Sequence, residues 1–299
     1  MVILISQETS IQEIQCLLPD FRVVKEVPAS DHSQFAGPSL IIEYNKEVNG
    51  CVSVDVVNQP WPDDMGEPKS KSMLFAAWSM GHFGPFAFPN GLQRAVQQSW
   101  RWPEAKSLVN EHRGFIRFRM SYIFGSERNA PVLPKDYAPL KELDFLDGMI
   151  SCVLAHPNSI CYFNPNGEVL LNKQLFDESR TYHRRHELPP LDLWSNIRLF
   201  NLSGNWLFMD SVGSWQLDIP DQEIAFPREQ FSPQEVDYFI RNATLYIIKN
   251  GMVIKHGDTM AGPGGNWRAA ILEKSLSGPP RQVIRWLQTD VQNIPTELM

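Results

Sequence analysis

The sequence lacks the features that mark secreted, membrane-spanning and zinc-binding proteins. Its four cysteines, Cys16, Cys51, Cys152 and Cys161, are scattered, without the close C-x-x-C spacing of a zinc site or the density of a disulfide framework. No apolar run approaches the ~20 residues that a membrane helix needs. The N-terminal residues carry no basic leader. We therefore expect a cytoplasmic protein with reduced thiols and no membrane association.

An excess of basic charge is also missing. The 299 residues include 27 lysines and arginines against 34 aspartates and glutamates, which gives a net charge of −7. Proteins that bind nucleic acids in general present a basic face. We expect no general nucleic-acid binding, and the acidic balance favours a basic protein partner instead.

The motifs of several enzyme classes are absent as well. The chain contains no Walker A motif, no G-x-G-x-x-G fingerprint and no G-x-S-x-G elbow. These absences argue against a nucleotide-dependent enzyme or a serine hydrolase. We therefore assign no catalytic residue, metal or cofactor from the sequence, and we expect binding rather than catalysis.

The segment from Ser232 to Thr259 predicts one helix in detail. Ser232 and Glu235 form the pattern of a capping box, and apolar residues then recur at helical spacing. Gly251 stands where a helix ends in a left-handed residue. Met252–Ile254 is typical of a short strand.

A similar order of elements occurs earlier in the chain. Pro103–His112 has helical character, Gly114 interrupts it, and the alternation in Phe115–Phe124 predicts a strand. Either the chain has two similar halves, or one common unit simply occurs twice. We predict an α+β fold with two mixed or antiparallel sheets and helices packed on them. We place a boundary between domains of residues 1–128 and 129–299; the alternative is one compact unit.

Two groups of residues in the first domain are candidates for a ligand site. Trp78 and His82 lie in an aromatic segment that predicts either an apolar pocket, with His82 as acid or base, or an irregular piece of core. Arg117 and Arg119 share the polar face of the predicted strand. They are suited to bidentate recognition of a phosphate or carboxylate, or to pairing with acidic neighbours on a solvated sheet face.

A basic segment, Arg180–Glu187, is predicted to be an exposed loop. On a helix, its histidines, three residues apart, would share a face that suits a metal, but no third ligand is near in sequence and the arginines repel a cation. We therefore interpret His183, Arg184 and Arg185 as an anion or partner contact.

An acidic cluster follows in the C-terminal half. Its spacing fits no calcium loop, so we expect solvent-facing charges; its members are Asp210, Asp218, Asp221 and Glu223. Cys161 has no activating neighbour in sequence, and we expect a small buried residue there.

The C-terminal third resembles an uncharacterised bacterial family, the domain of unknown function DUF4261. The matching segments are Met209–Gly213, Gln216–Asp221, Phe239–Asn242, Gly251–Ile254 and Gly257–Thr259. The resemblance implies a fold rather than an activity, and it carries over no catalytic residue. Asp258 is expected to close its turn by a local hydrogen bond.

Together these observations favour a non-enzymatic protein that binds another protein. Within that class, the acidic charge and the aromatic content suit a bacterial immunity protein that neutralises a basic toxin. The alternative is a small-ligand-binding protein or enzyme that uses the aromatic segment around His82. A structural component of a larger assembly is a third hypothesis.

Overall fold

The computed structural model describes residues 1–29, 34–127 and 129–289. The chain divides into two compact units, Met1–Leu193 and Trp194–Met299. The predicted α+β class is confirmed, because the described residues form eight α-helices and two sheets, one antiparallel and one mixed. None of the helices described has the length and apolar character needed to cross a bilayer.

The division between the units falls later than the predicted boundary after Arg128, a residue that itself lies outside the described ranges. The reason is the sheet of the first unit. Two strands that follow residue 129, Ser159–Asn164 and Val169–Leu171, pair into that sheet next to the strand Val2–Ile5. A break near residue 129 would separate these paired strands.

The first unit is built on a seven-stranded antiparallel sheet with the order β2-β3-β4-β5-β1-β6-β7. Its strands are β1 Val2–Ile5, β2 Val23–Val27, β3 Ser39–Asn45, β4 Gly50–Val57, β5 Gly114–Ser121, β6 Ser159–Asn164 and β7 Val169–Leu171. Its helices are α1 Ile11–Cys16, α2 Ser72–Ser79, α3 Gly91–Gln97, α4 Ala105–Val109, α5 Pro139–Val153 and α6 Lys173–Arg185, and α7 Leu191–Trp194 crosses into the second unit.

Helices cover both faces of this sheet. On one face, Leu4 and Phe115 belong to a core that includes residues of α2, α3 and α4. On the other, Tyr162 of β6 packs edge-on against Phe176 of α6, and the Tyr122 hydroxyl donates to Glu142 of α5. The central strand β1 is therefore apolar throughout, and all four of its residues are buried.

The second unit is built on a six-stranded mixed sheet with the order β11-β12-β13-β10-β9-β8. The only parallel pair in the described ladders joins β10 to β13. The elements are β8 Asn196–Asn201, β9 Trp206–Val212, β10 Asp221–Pro227, α8 Pro233–Asn250, β11 Thr259–Gly262, β12 Gly265–Leu272 and β13 Val283–Gln288.

The helix predicted after Ser232 forms as expected. Ser232 and Glu235 make the reciprocal capping box, and α8 ends at Gly251 as predicted, but the φ of 77° and ψ of −178° of this glycine differ from the expected left-handed helical conformation. The apolar stripe of α8 is buried against one face of the sheet, where Met209 and Ile224 belong to the same core. The expected hydrogen bond at Asp258 also forms, because the Lys255 amide donates to its carboxylate at 2.8 Å.

Two local predictions were wrong. Met252–Ile254 is not a strand but an irregular connection, since no neighbouring strand pairs with it in the described ladders. The segment Arg180–Glu187 is not a loop, because α6 continues through Arg185. Asn172 caps that helix by accepting from the Leu175 amide, and Phe176 and Ser179 are buried on its inner face.

Trp61 lies at the centre of the core of the first unit, 4% exposed, with four aromatic rings at centroid distances of 5.2–6.2 Å. Trp61→Ala should lower the free energy of unfolding of this unit by about 3–5 kcal/mol, because it removes a large buried side chain. Trp100, 67% exposed, is the matched control, and Trp100→Ala should cost less than about 0.5 kcal/mol. Native-state hydrogen exchange of the β5 amides measures both; equal losses would contradict this account of the core.

Candidate functional site

The structure brings together two of the residues singled out from the sequence, Arg117 and His82. The Arg117 guanidinium is buried and donates to both carboxylate oxygens of Asp55, at 3.0 and 2.6 Å. Its Nη1 donates to the His82 carbonyl at 3.2 Å, and its Nη2, which also donates to Asp55, donates to the Phe35 carbonyl at 2.8 Å. The guanidinium is therefore committed to groups of its own chain.

The His82 ring is also engaged internally. Its Nε2 lies 2.9 Å from the Phe35 carbonyl oxygen, and its ring meets Phe83 edge-on. Burial lowers the pKa of this imidazole, although the hydrogen bond to Phe35 opposes the shift. Trp78 is buried beside Phe83 and donates from Nε1 to the Pro62 carbonyl at 3.2 Å. Both side chains thus pack as part of the cover of the sheet.

Arg119 is the more exposed arginine of this group. Its side chain is 39% exposed and lies 3.7 Å from Asp55, which already pairs with Arg117. Cys161, on β6, is fully buried, and burial raises the pKa of its thiol far above the usual range. A buried protonated thiol is a poor nucleophile.

The remaining sequence-predicted residues lie on the last turn of α6. Arg184 and Arg185 are exposed there, while His183 is half-buried and its Nδ1 lies 2.8 Å from the Ser179 carbonyl oxygen. His186 makes the same kind of contact, since its Nδ1 lies 2.8 Å from the carbonyl oxygen of Tyr182, one helical turn earlier. Among the residues with a described placement, no three histidine, cysteine or carboxylate side chains gather as metal ligands. The α6 terminus thus presents a basic surface, far in sequence from the residues around His82.

The expectation of a solvent-facing acidic cluster was wrong for three of its four members. Asp210, Asp221 and Glu223 are buried, and Asp218 alone is exposed. The first three lie among the buried arginines Arg198, Arg281 and Arg285. We call these six residues the charge cluster.

Strand register places the members of the charge cluster that lie on strands on the face of the sheet opposite α8, and Arg281 reaches them from the loop before β13. Arg198 of β8 stands across from Asp210, Asp210 across from Glu223, and Glu223 across from Arg285. Arg198 donates to both oxygens of Asp210 at 3.0 and 2.6 Å, and Arg285 donates to Glu223 at 2.9 Å. Arg281 bridges Asp210 and Asp221 at 2.6 and 3.1 Å. Three carboxylates thus neutralise three guanidiniums.

The loop between β12 and β13 completes these contacts. The Gly278 carbonyl accepts from Arg198 at 2.8 Å, and the Leu276 amide donates to Glu223 at 2.7 Å. Ser277 donates to Asp210. Because each buried charge has several partners, the charge cluster fixes this loop and leaves little capacity for a ligand.

The two carboxylates Asp210 and Glu223, which stand opposite each other in the charge cluster, differ in electrostatics. Burial alone would raise the pKa of Asp210, but Arg198 and Arg281 together hold it below its usual range. Burial raises the pKa of Glu223, and its arginine partner Arg285 only partly opposes this shift. The number of guanidiniums around each carboxylate accounts for the difference.

A groove of about 680 Å³ opens on the same unit, away from the charge cluster. Its walls are the C-terminal half of α8, the connection after Gly251 and the strand β11. Tyr246, Val253, Ile254 and Met260 give it an apolar lining, and Trp286 contributes to it as well. Tyr246 is 45% exposed, and Tyr238, two turns earlier on α8, is 70% exposed.

Fold and site together define the second unit as a mixed six-stranded sheet with one covering helix and a buried row of paired charges. The resemblance to DUF4261 is confirmed, since the model of this domain of unknown function matches residues 210–287. The match contains the groove and every member of the charge cluster except Arg198. No curated protein and no solved structure matches the chain.

The sequence carries a signal for the charge cluster. Arg198 and Arg285 each interrupt a run of apolar residues within a strand, as does Asp210. Opposite charges inside strands that are otherwise apolar indicate buried pairs rather than solvated ones. The exposed residues of the groove gave no such signal.

Asp210→Asn should lower the free energy of unfolding of the second unit by about 3–5 kcal/mol at pH 7, because two buried guanidiniums lose their shared counter-charge. The folded pKa of Asp210 lies below its unfolded value. Its contribution is therefore present above the unfolded pKa of about 3.9 and is lost as the pH falls through the folded pKa. The difference between variant and wild type should narrow below about pH 4.

Hydrogen exchange of the β9 and β10 amides measures this difference. Asp218→Asn is the control, because Asp218 is exposed and asparagine accepts its φ of 60°. A cost for Asp210→Asn that equals the control, or that does not change with pH, would contradict the pairing.

Proposed function

We propose that this protein acts by binding another protein rather than by catalysis. The observation that carries the proposal is the apolar groove beside α8, which exposes aromatic and thioether side chains on the unit that carries the DUF4261 match. Tyrosine and methionine are enriched in protein interfaces, and tyrosine buries apolar area there while it keeps a polar hydroxyl.

The exposed side chains on α8 form a line. Tyr238, Asn242 and Tyr246 are spaced by four residues, so they follow one another along one side of the helix. Tyr246 and Asn242 reach the groove, which continues past Val253 to β11. This line and the groove together offer a partner protein an exposed helix surface and an adjoining concave surface.

The finer proposal is that the protein is a bacterial immunity protein whose partner is a basic toxin. The net charge of −7 supports this, because a long-range field of one sign speeds association with a partner of the opposite sign. The small-ligand alternative has weaker support, since both the His82 ring and the Arg117 guanidinium are committed to the Phe35 carbonyl.

Tyr246→Ala should weaken capture of a protein partner by at least about tenfold, because central tyrosines supply much of the binding energy of an interface. The measurement is quantitative capture by the tagged protein from its native cells, followed by titration of the purified partner. Tyr182→Ala is the matched control, since Tyr182 is 55% exposed but lies on α6. A partner bound equally by both variants, or no partner, would contradict the proposal.

The finer proposal has a separate test. The captured partner should arrest growth when expressed alone, and co-expression of this protein should relieve the arrest. Its association rate should fall steeply as salt increases, because screening weakens long-range attraction. A harmless partner, or a rate independent of salt, would exclude a basic toxin while leaving protein binding intact.

A further inference from the structure

The strand β11 stands at the edge of the second sheet and pairs only with β12 among the strands in the described ranges. Its ladder begins at the pair Gly262 and Gly265, which flank the two-residue turn Pro263-Gly264. Residues that flank such a turn exchange hydrogen bonds, and positions then alternate along the ladder. Met260 is therefore bonded to Trp267, whereas Thr259 and Ala261 occupy the non-bonded positions.

Hydrogen bonds on the far side of β12 establish this alternation. The Thr289 amide donates to the carbonyl of Asn266, the residue opposite Ala261, at 3.1 Å. The Asn266 carbonyl thus points toward β13 and away from β11. The Ala269 amide, in contrast, donates to the Asp258 carbonyl on the β11 side at 2.8 Å. Backbone groups alternate in direction along a strand, so the N–H and C=O groups of Arg268, which lies between these two residues, also point toward β13. Thr259, the residue opposite Arg268, is therefore not hydrogen-bonded to it.

The N–H and C=O groups of Thr259 and Ala261 consequently point outward from the sheet edge. Both residues are exposed and both line the groove. An open strand edge with this arrangement is a template for another strand, and alternate side chains of the added strand would enter a neighbouring apolar groove. Tyr246, Val253 and Met260 are placed to receive them.

The charge around this edge is opposite to that of the whole chain. Lys255 and Arg268, the residue opposite Thr259, are exposed, and neither has an ion-pair partner within the described part of the chain. The exposed carboxylate of Asp258, which accepts from the Lys255 backbone amide, offsets one of these two positive charges. The edge therefore carries a local positive excess, which favours a segment with acidic residues.

We propose that β11 binds an extended, acidic segment of a partner protein as a seventh strand of the sheet. The segment pairs with the backbone of Thr259 and Ala261, places apolar side chains in the groove, and sets acidic side chains beside Lys255 and Arg268. This inference rests on the proposed protein-binding function alone, not on the finer proposal of a basic toxin, and specifies the mode of binding.

A second copy of this chain is a poorer occupant of the edge. Pairing two β11 strands around a two-fold axis would bring the lysine and arginine side chains of both copies together. Like charges across adjacent strands destabilise the pairing. The excess of positive charge therefore also disfavours self-association through this edge.

The test uses synthetic peptides of alternating valine and threonine, one with a glutamate at each end and one with a lysine at each end. The glutamate-ended peptide should slow amide exchange at Thr259 and Ala261 by at least about tenfold at saturation, because edge amides gain partners. Met260 is the internal reference, since its amide already bonds to β12. The lysine-ended peptide should bind at least about tenfold more weakly.

Two variants at one position isolate the backbone contact. Ala261→Pro removes the outward N–H without removing a ladder bond, so it should weaken the glutamate-ended peptide by at least about tenfold. Ala261→Val keeps the donor and should remain within about twofold of wild type. Lys255→Glu combined with Arg268→Glu should reverse the preference between the two peptides.

Several results would overturn the inference: no protection at Thr259 and Ala261 with either peptide, wild-type binding by Ala261→Pro, or a wild-type dimer in sedimentation that Ala261→Pro dissociates. A captured partner that Tyr246→Ala loses but Ala261→Pro keeps would leave the proposed function standing and remove strand addition. Peptide protection without any captured protein partner would show that the β11 edge can accept a strand but would remove the proposed protein-binding function.

Discussion

The pairing of buried carboxylates with buried guanidiniums across neighbouring strands is the constraint on which the second unit depends. An isolated charge in a sheet interior costs several kcal/mol or more, so each member of the charge cluster is tolerable only while its partners stay in place. Register follows from this, because a slip of β9 by one residue would move Asp210 into the apolar face beneath α8. The loop after β12 is fixed for the same reason, since its Gly278 carbonyl and Leu276 amide complete the shells of Arg198 and Glu223.

The described part of the first unit contains the same kind of pair. Arg117 and Asp55 face each other on β5 and β4, with the same two contacts of 3.0 and 2.6 Å that join Arg198 to Asp210. The order along the chain is reversed, since the aspartate comes first in one unit and the arginine first in the other. The shared pair reflects local physics, because a buried charge on a strand requires an opposite charge beside it. The arrangement of strands differs between the sheets.

Local interactions were predictable from the sequence and long-range ones were not. The beginning and end of α8 depend on Ser232, Glu235 and Gly251, which act within a few residues, and the structure has them as predicted. The charge cluster joins residues 12 to 71 positions apart, so the pattern around Asp210 could not show its partners. Met252–Ile254 has strand-forming residues, but a strand also requires a neighbour. The charged residues of Arg180–Glu187 indicated a loop, because the buried residues that anchor this part of α6 lie one turn earlier, outside the segment.

The charge cluster and the open edge of β11 are connected by the geometry of one sheet. The row of charges on the face opposite α8 runs from β8 to Arg285 on β13, where every guanidinium has a carboxylate. Arg268 of β12 points to that same face, because it stands two positions from Ala270, the residue opposite Arg285. It is exposed, with no ion pair in the part of the chain that is described. The same alternation of side chains that pairs the arginines of the charge cluster thus leaves the Arg268 cation next to the edge strand. An acidic strand beside β11 would pair a carboxylate with this cation, as carboxylates and guanidiniums pair in the interior.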